Sequence, residues 1–272
     1  MIDPVSMTIS GTTRLYGVIA DPIDHVRAPM VFNPVFAKDG VDAVMLPIHI
    51  RPDDLTETIR SISRMPNFGG VCVTIPHKMT MAAMCDELGL AARITGAVNA
   101  VRFDDGRIIG DNFDGQGFVA GLEGEGVSLN GASVLMSGAG GAARASAVAL
   151  STSGASRLTI ANRTEAKAAE ITTILADHFP EFEAQPLSTD ALPDALAEAD
   201  IIINTTSLGL HQGDALPCAL KGAGQNAVIA DIIMIPPVTA WMAEAEKQGL
   251  RTHPGRHMLD YQRDLIAQFM RF

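Results

Sequence analysis

Ala132-Ser133-Val134-Leu135-Met136-Ser137-Gly138-Ala139-Gly140-Gly141-Ala142-Ala143 runs from an apolar strand-like stretch through a glycine turn into an alanine-rich helix over 142–153. Gly138-Ala139-Gly140-Gly141 is the glycine turn: Gly138 permits its tightness, and Gly140 and Gly141 let backbone N–H groups approach a pyrophosphate closely. Ala142 and Ala143 keep the helix near the sheet. The helix N-terminus turns its partial positive charge toward such an anion. The same texture continues toward the C-terminus. Strands are expected at 157–161, 201–204 and 227–233, with helices at 165–178 and 239–248. This alternation is the order of a doubly wound parallel sheet that binds a dinucleotide. A site reading a free ribose 2′-hydroxyl ends its second strand with Asp or Glu; here Asn162 stands in that place. Arg163 and Lys167 add positive charge and Thr164 a hydroxyl, a set that suits an adenosine 2′-phosphate, so NADP is favoured. Glu165 can instead accept ribose hydroxyls and repel the phosphate, which keeps NAD as the alternative.

Toward the N-terminus the texture is less regular. Strands are expected at 14–19, 43–50 and 70–75, with Pro47 marking an edge strand. Helical spacing covers 29–39 and 53–63. The fold class is α/β with two domains: an N-terminal mixed α/β substrate domain and a Rossmann-type doubly wound parallel sheet. Boundaries are set at 1–113, completed by 251–272, and at 114–250, with short joins near 110–121 and 249–255.

The chain has 272 residues, 47% of them hydrophobic, enough for a substantial core. Thirty-one acidic against 20 basic side chains leave a net charge of −11, which excludes a phosphate-backbone binder. Aromatics at 5% offer few base-stacking surfaces. The three cysteines, Cys72, Cys85 and Cys218, have neither disulfide nor metal-ligand spacing, which points to the reducing cytoplasm. No apolar run is long enough to cross a membrane, and the N-terminus lacks the pattern of a secretory signal. No nucleic acid, membrane or metal is expected as a partner, and the oligomeric state is open.

Further motifs lie around the expected domain join. Val73-Thr74-Ile75-Pro76-His77-Lys78 places a lysine just past a short strand, Gly96-Ala97-Val98-Asn99-Ala100 follows, and then Asp111-Asn112-Phe113-Asp114-Gly115-Gln116-Gly117. Together with Gly138–Ala145, Asn162–Lys167 and the set Gly255, Met258, Leu259 and Gln262, these resemble the ordered motifs of the shikimate dehydrogenase family. The family writes them NVTxPxK, GAxNT, GxNTDxxG, GAGGxxxA, NRTxxR/K and GxxMLxxQ. The resemblance spans nearly the whole chain. It implies reversible hydride transfer between a nicotinamide and a ring hydroxyl of a shikimate- or quinate-like cyclic hydroxy acid. It gives Lys78 and Asp114 the hydroxyl proton, as a catalytic pair. Alcohol oxidation needs that proton removed as the hydride leaves, and burial and a nearby cationic ring bring a lysine toward the working pH. Asn99, Asn112, Thr74 and Gln262 are implied to face the substrate, and Thr205, Thr206 and Ser207 to lie on the nicotinamide side.

The family pattern breaks in one loop. Where it has GxPIxHSxSP, this chain reads Ala20-Asp21-Pro22-Ile23-Asp24-His25-Val26-Arg27-Ala28-Pro29. The resemblance implies that two serines there bind the substrate carboxylate; they are Val26 and Ala28. Each hydrogen bond to a charged group is worth about 1.5–3 kcal/mol, so binding of an acid weakens by orders of magnitude. Arg27, between them, is expected to point outward by alternation along an extended chain; turned inward, it would bind a carboxylate bidentately. Cys72 replaces an asparagine, and Met234-Ile235-Pro236 replaces a YNP segment. The chain is therefore expected to be a paralogue with a rewritten substrate end. A dinucleotide-binding sensor and a dehydrogenase of an amino-substituted analogue are the alternatives. His25 and His77 flank the site, and His77 is expected to cap or pack.

Overall fold

The computed structural model describes residues 8–24 and 26–272, so His25 lies outside the described residues. Two compact units emerge. One holds the described residues up to Phe113 with Arg263–Phe272; the other is Asp114–Gln262.

The first unit carries β1 (Arg14–Ala20), α1 (Ala28–Asp39), β2 (Ala43–His49), α2 (Leu55–Ile62), β3 (Phe68–Val73), α3 (Lys78–Met84), β4 (Glu87–Leu88), α4 (Leu90–Thr95), β5 (Ala100–Asp104) and β6 (Arg107–Asp111). Its sheet runs β2-β1-β3-β5-β6-β4. β1 pairs in parallel with β2 and β3, and β5 is antiparallel to both β3 and β6. β2 is an edge strand, and Pro47 sits on it, as its missing N–H requires. The sheet is mixed because β5 and β6 form a hairpin. Its turn places Asp105 at φ 50° and Gly106 at φ 81°, the two left-handed residues of a tight hairpin turn. Two apolar clusters fill this unit. One gathers Ile19, Leu55, Ile59, Val71, Met81 and Val101; the other gathers Tyr16, Phe32, Phe36, Met45, Ile266 and Met270.

The second unit carries α5 (Asp114–Gly124), β7 (Ser133–Ser137), α6 (Gly141–Leu150), β8 (Arg157–Ala161), α7 (Glu165–His178), β9 (Glu183–Leu187), α8 (Leu192–Glu198), β10 (Ile201–Asn204), β11 (Val228–Asp231), α9 (Ala240–Lys247) and β12 (Arg251–His253). Helix α10 (Arg256–Met270) follows. All six strands are parallel in the order β12-β11-β10-β7-β8-β9. Read from the other edge this is the doubly wound order, with its switch point between β7 and β10. Buried runs such as Ile201-Ile202-Ile203 are what a strand covered on both faces requires.

The chain returns to the first unit at Arg263, later than the expected 251. Arg251–His253 pairs in parallel with β11 and so extends the second sheet. The strand expected at 70–75 starts two residues earlier and stops at Val73, where Thr74 begins the turn into α3.

Candidate active site

In the first unit the candidate residues gather beyond the carboxyl ends of β1 and β3, where ligands bind in open α/β sheets. The Thr74 N–H donates to the Ile19 carbonyl at 3.2 Å, and the Asp21 N–H donates to the Ile75 carbonyl at 3.3 Å. These bonds lace the two strand-end loops together. Lys78 is the first residue of α3, and its side chain is half-buried. Its carbonyl accepts the Val98 N–H at 3.0 Å, tying it to the segment that carries Asn99. His77 is 1% exposed and its Nε2 meets the Ile50 carbonyl at 2.8 Å, so it packs and braces, as the sequence leads one to expect. Asn99 and Asn112 are both buried. Asn99 Oδ1 accepts the Phe113 N–H at 2.9 Å, and Asn112 Nδ2 donates to the Ala97 carbonyl at 3.1 Å. The two amides thereby fix the chain that leads to Asp114. Val26 and Ala28 are half-buried against the cluster of Tyr16, Phe32 and Phe113, while Arg27 is exposed.

In the second unit Asp114 opens α5, and its Oδ1 accepts a hydrogen bond from Gln262 Nε2 at 2.9 Å. The approach of α10 to α5 depends on Gly117. A Cβ there would stand 2.7 Å from both Gln262 Cβ and the Met258 carbonyl oxygen.

The glycine turn lies at the switch point. Gly138 has φ 110°, and a Cβ on it would stand 2.6 Å from Thr205 Oγ1. Gly140, the N-cap residue of α6, has no side chain with which to cap the helix, and Thr239 Oγ1 accepts the Met242 N–H at the start of α9. Cβ positions built on Gly140 and Gly141 face open space, and both residues are exposed, with Ala139 and Ala142 half-buried beside them. Free N–H groups over open space fit a dinucleotide pyrophosphate. At the end of β8, Asn162 Nδ2 donates to the Thr164 carbonyl at 2.8 Å, which turns the chain into α7. Arg163, Thr164, Glu165 and Lys167 are all exposed there. After β10, Thr205 is buried and its hydroxyl donates to the Ser137 carbonyl at 2.8 Å. Thr206 Oγ1 donates to Asn204 Oδ1 at 2.7 Å, and Ser207 is exposed. Thr205 and Thr206 thus shape the loop with their hydroxyls.

Sequence reasoning missed Asp231. It is fully buried, and it accepts from Asn204 Nδ2 at 3.1 Å, the Ile233 N–H at 2.9 Å and the Thr239 hydroxyl at 2.9 Å. Burial pushes its carboxyl pKa up, against those three bonds, which pull it down. One carboxylate therefore ties together the loops after β10 and β11. Cys72 is buried, and burial pushes its thiol up to about 12, so it is inert in the core. Among the described residues no group of three His, Cys, Asp or Glu side chains stands ready to hold a metal. None of the described helices is long and apolar enough to cross a membrane.

Residues 18–101 match the family model of the shikimate dehydrogenase substrate binding domain, and residues 122–247 that of shikimate / quinate 5-dehydrogenase. A shikimate dehydrogenase (NADP(+)) of Rubrobacter xylanophilus is 40% identical over 256 residues, 93% of this chain and 89% of the relative. The crystal structure of shikimate 5-dehydrogenase from Listeria monocytogenes in complex with shikimate and NAD is similar with a TM-score of 0.88 at 30% identity, over 96% of this chain and 92% of that one. The ligand-free 5-ketofructose reductase of a Gluconobacter species is similar with a TM-score of 0.86 at 31% identity, over 96% and 94%. Two consecutive family models across the two units, with relatives that match nearly end to end, place this chain in the shikimate dehydrogenase family.

Proposed function

We propose that this chain is an NADP-dependent dehydrogenase that interconverts a ring hydroxyl and a ketone on a shikimate- or quinate-like small molecule. The observation that carries the proposal is the uncapped, open glycine turn at the switch point of a six-stranded parallel sheet, in a chain of this family. The relatives differ in substrate, one crystallised with shikimate and another named for 5-ketofructose. What those molecules share is a secondary alcohol or ketone on a hydroxylated frame.

The bound nicotinamide supplies the hydride acceptor or donor. Backbone N–H groups of Gly140, Gly141 and Ala142 would hold its pyrophosphate, with Gly138 and Ala139 shaping the turn. Arg163, Thr164 and Lys167 are poised on the exposed start of α7 for a 2′-phosphate, beside Asn162 and Glu165. Thr205, Thr206 and Ser207 shape the nicotinamide side. Lys78 exchanges the hydroxyl proton as the hydride moves, and Asp114 is its carboxylate partner. Gln262 orients that carboxylate through its 2.9 Å bond. Thr74, Asn99 and Asn112 bind substrate hydroxyls. Three free cysteines, two of them buried, suit a reducing cytoplasm, where we place the protein.

The test is steady-state oxidation of shikimate and quinate with NADP and with NAD, followed by the absorbance of the reduced nicotinamide. Turnover is expected with NADP ahead of NAD, and a loss of at least a hundredfold in kcat for Lys78→Ala. Turnover that survives Lys78→Ala unchanged would remove the lysine from the proposal. Tight NADP binding with no turnover of any hydroxylated ring alcohol or ketone would make the protein a sensor.

A further inference from the structure

Resting on the dehydrogenase reading above, we propose that the substrate is a neutral polyhydroxylated ketone, with no carboxylate at the end that meets the loop after β1. The chain beyond the ends of β1 and β3 carries two unlike sets of side chains. One is rich in hydroxyl and amide groups: half-buried Thr74 and buried Asn99 and Asn112. Such groups both donate and accept, which suits alcohol groups. The other belongs to the loop from Asp21 to Ala28, which the Asp21 N–H joins to the Ile75 carbonyl.

The side chains of that loop are poorly made for an anion. Its two inward side chains, Val26 and Ala28, have no polar atom and rest on the cluster of Tyr16, Phe32 and Phe113. Arg27 is exposed, and among the described residues of the loop it is the one cation. Asp21 and Asp24 are acidic, and Asp21 Oδ1 lies 2.7 Å from His49 Nε2. Asp21, Asp24 and Arg27 together give the described residues of the loop a formal charge of −1. A carboxylate brought against it would lose hydration to an apolar wall and face a like charge. A hydroxyl or a carbon edge would lose neither. Each missing charge-assisted hydrogen bond is worth roughly ten- to a hundredfold in affinity. The 5-ketofructose reductase and the shikimate dehydrogenase are alike in fold to this chain, so the fold itself accommodates both kinds of molecule. The loop after β1 therefore decides between them.

The experiment compares NADPH oxidation with two ketones, 5-ketofructose as the neutral probe and 3-dehydroshikimate as the acidic one. The expected result is a kcat/KM at least a hundredfold higher for the neutral ketone. Preference for the acid would overturn this proposal and leave the dehydrogenase reading standing. Failure of both ketones, with NADPH binding seen by its fluorescence, would overturn the two together. The double variant Val26→Ser/Ala28→Ser gives a second readout. It is expected to raise kcat/KM for the acid at least tenfold, through KM, without a matching gain for the neutral ketone. A variant that melts like the parent and leaves the ratio unchanged would also overturn the proposal. Should the variant not fold, the parent's ratio decides alone.

Discussion

Acidification should destabilise the second unit through one buried imidazole. His253 is 2% exposed at the end of β12, edge-on to the Phe118 ring at 6.1 Å and 5.0 Å from the His257 ring. Its Nε2 has no hydrogen-bond partner among the described residues. Burial, helped by the charges of His257 and Arg251 and opposed by Glu125, pushes its pKa down to about 4. The unfolded chain takes up this proton near pH 6.5, whereas the folded chain resists it until about pH 4. Stability from this group is therefore complete above about pH 6.5 and is lost as pH falls through that window. At 1.36 kcal/mol per pH unit for one proton, the loss is about 2 kcal/mol between pH 7 and pH 5, and on the order of 3 kcal/mol near pH 4. Trp241, the single tryptophan, is 1% exposed in the same unit and reports its unfolding by fluorescence. Urea titrations at pH 7, 6 and 5 of the parent and of His253→Gln isolate the effect, because the carboxylates common to both cancel in the difference. The parent should lose about 2 kcal/mol more than the variant between pH 7 and pH 5. Parallel curves would show that the imidazole is hydrated or already charged in the folded state and would refute the reasoning. The consequence reaches the site, since β12 leads directly into α10, whose Gln262 holds Asp114.

Other perturbations follow from the same geometry. Gly117→Ala puts a methyl 2.7 Å from Gln262 Cβ and the Met258 carbonyl. It should cost about 1–3 kcal/mol by overpacking and lower kcat at least tenfold with NADP affinity kept; an unchanged kcat would separate helix spacing from catalysis. Asp231→Ala leaves the Thr239 hydroxyl and the Ile233 N–H without their acceptor, at a cost of about 2–5 kcal/mol measurable by urea unfolding. Its NADP affinity should fall as well, and normal binding in a folded variant would mean the loops after β10 and β11 hold without it. Arg163→Ala with Lys167→Ala removes two exposed cations from the start of α7 and should shift the ratio of NADP to NAD efficiency at least tenfold toward NAD. An unchanged ratio would leave the 2′-phosphate to other groups.

How far the sequence speaks depends on whether a residue's neighbours are local. Arg157–Ala161, Glu165–His178 and Ile201–Asn204 are legible to the residue, because a short apolar run or a long helical one is bounded by polar or turn residues. The glycine turn is legible for the same reason, since strand, turn and helix are consecutive. β12 is not, because three residues acquire strand character only by lying beside β11. β9 is a half-exposed edge strand containing Pro186, which breaks the alternating pattern. The β5–β6 hairpin does carry a local signal, Asp105-Gly106 between two alternating runs. The loop after β1 does not carry one. Arg27 is exposed at the N-cap of α1, where the chain is already helical and strand-like alternation does not operate, and the apolar cluster that Val26 and Ala28 join draws on α1, β1, β2 and the last turns of α10. Asp231 is the extreme case. Nothing in Ala227-Val228-Ile229-Ala230-Asp231 sets its carboxylate apart from any strand-end aspartate. Its meaning comes from Asn204, 27 residues earlier, and Thr239, eight residues later, which converge on it in the fold. A buried carboxylate with three donors is costly to assemble and costly to break. The loops it joins are thereby held in one arrangement, which a nicotinamide site needs if the hydride is to travel along a single direction.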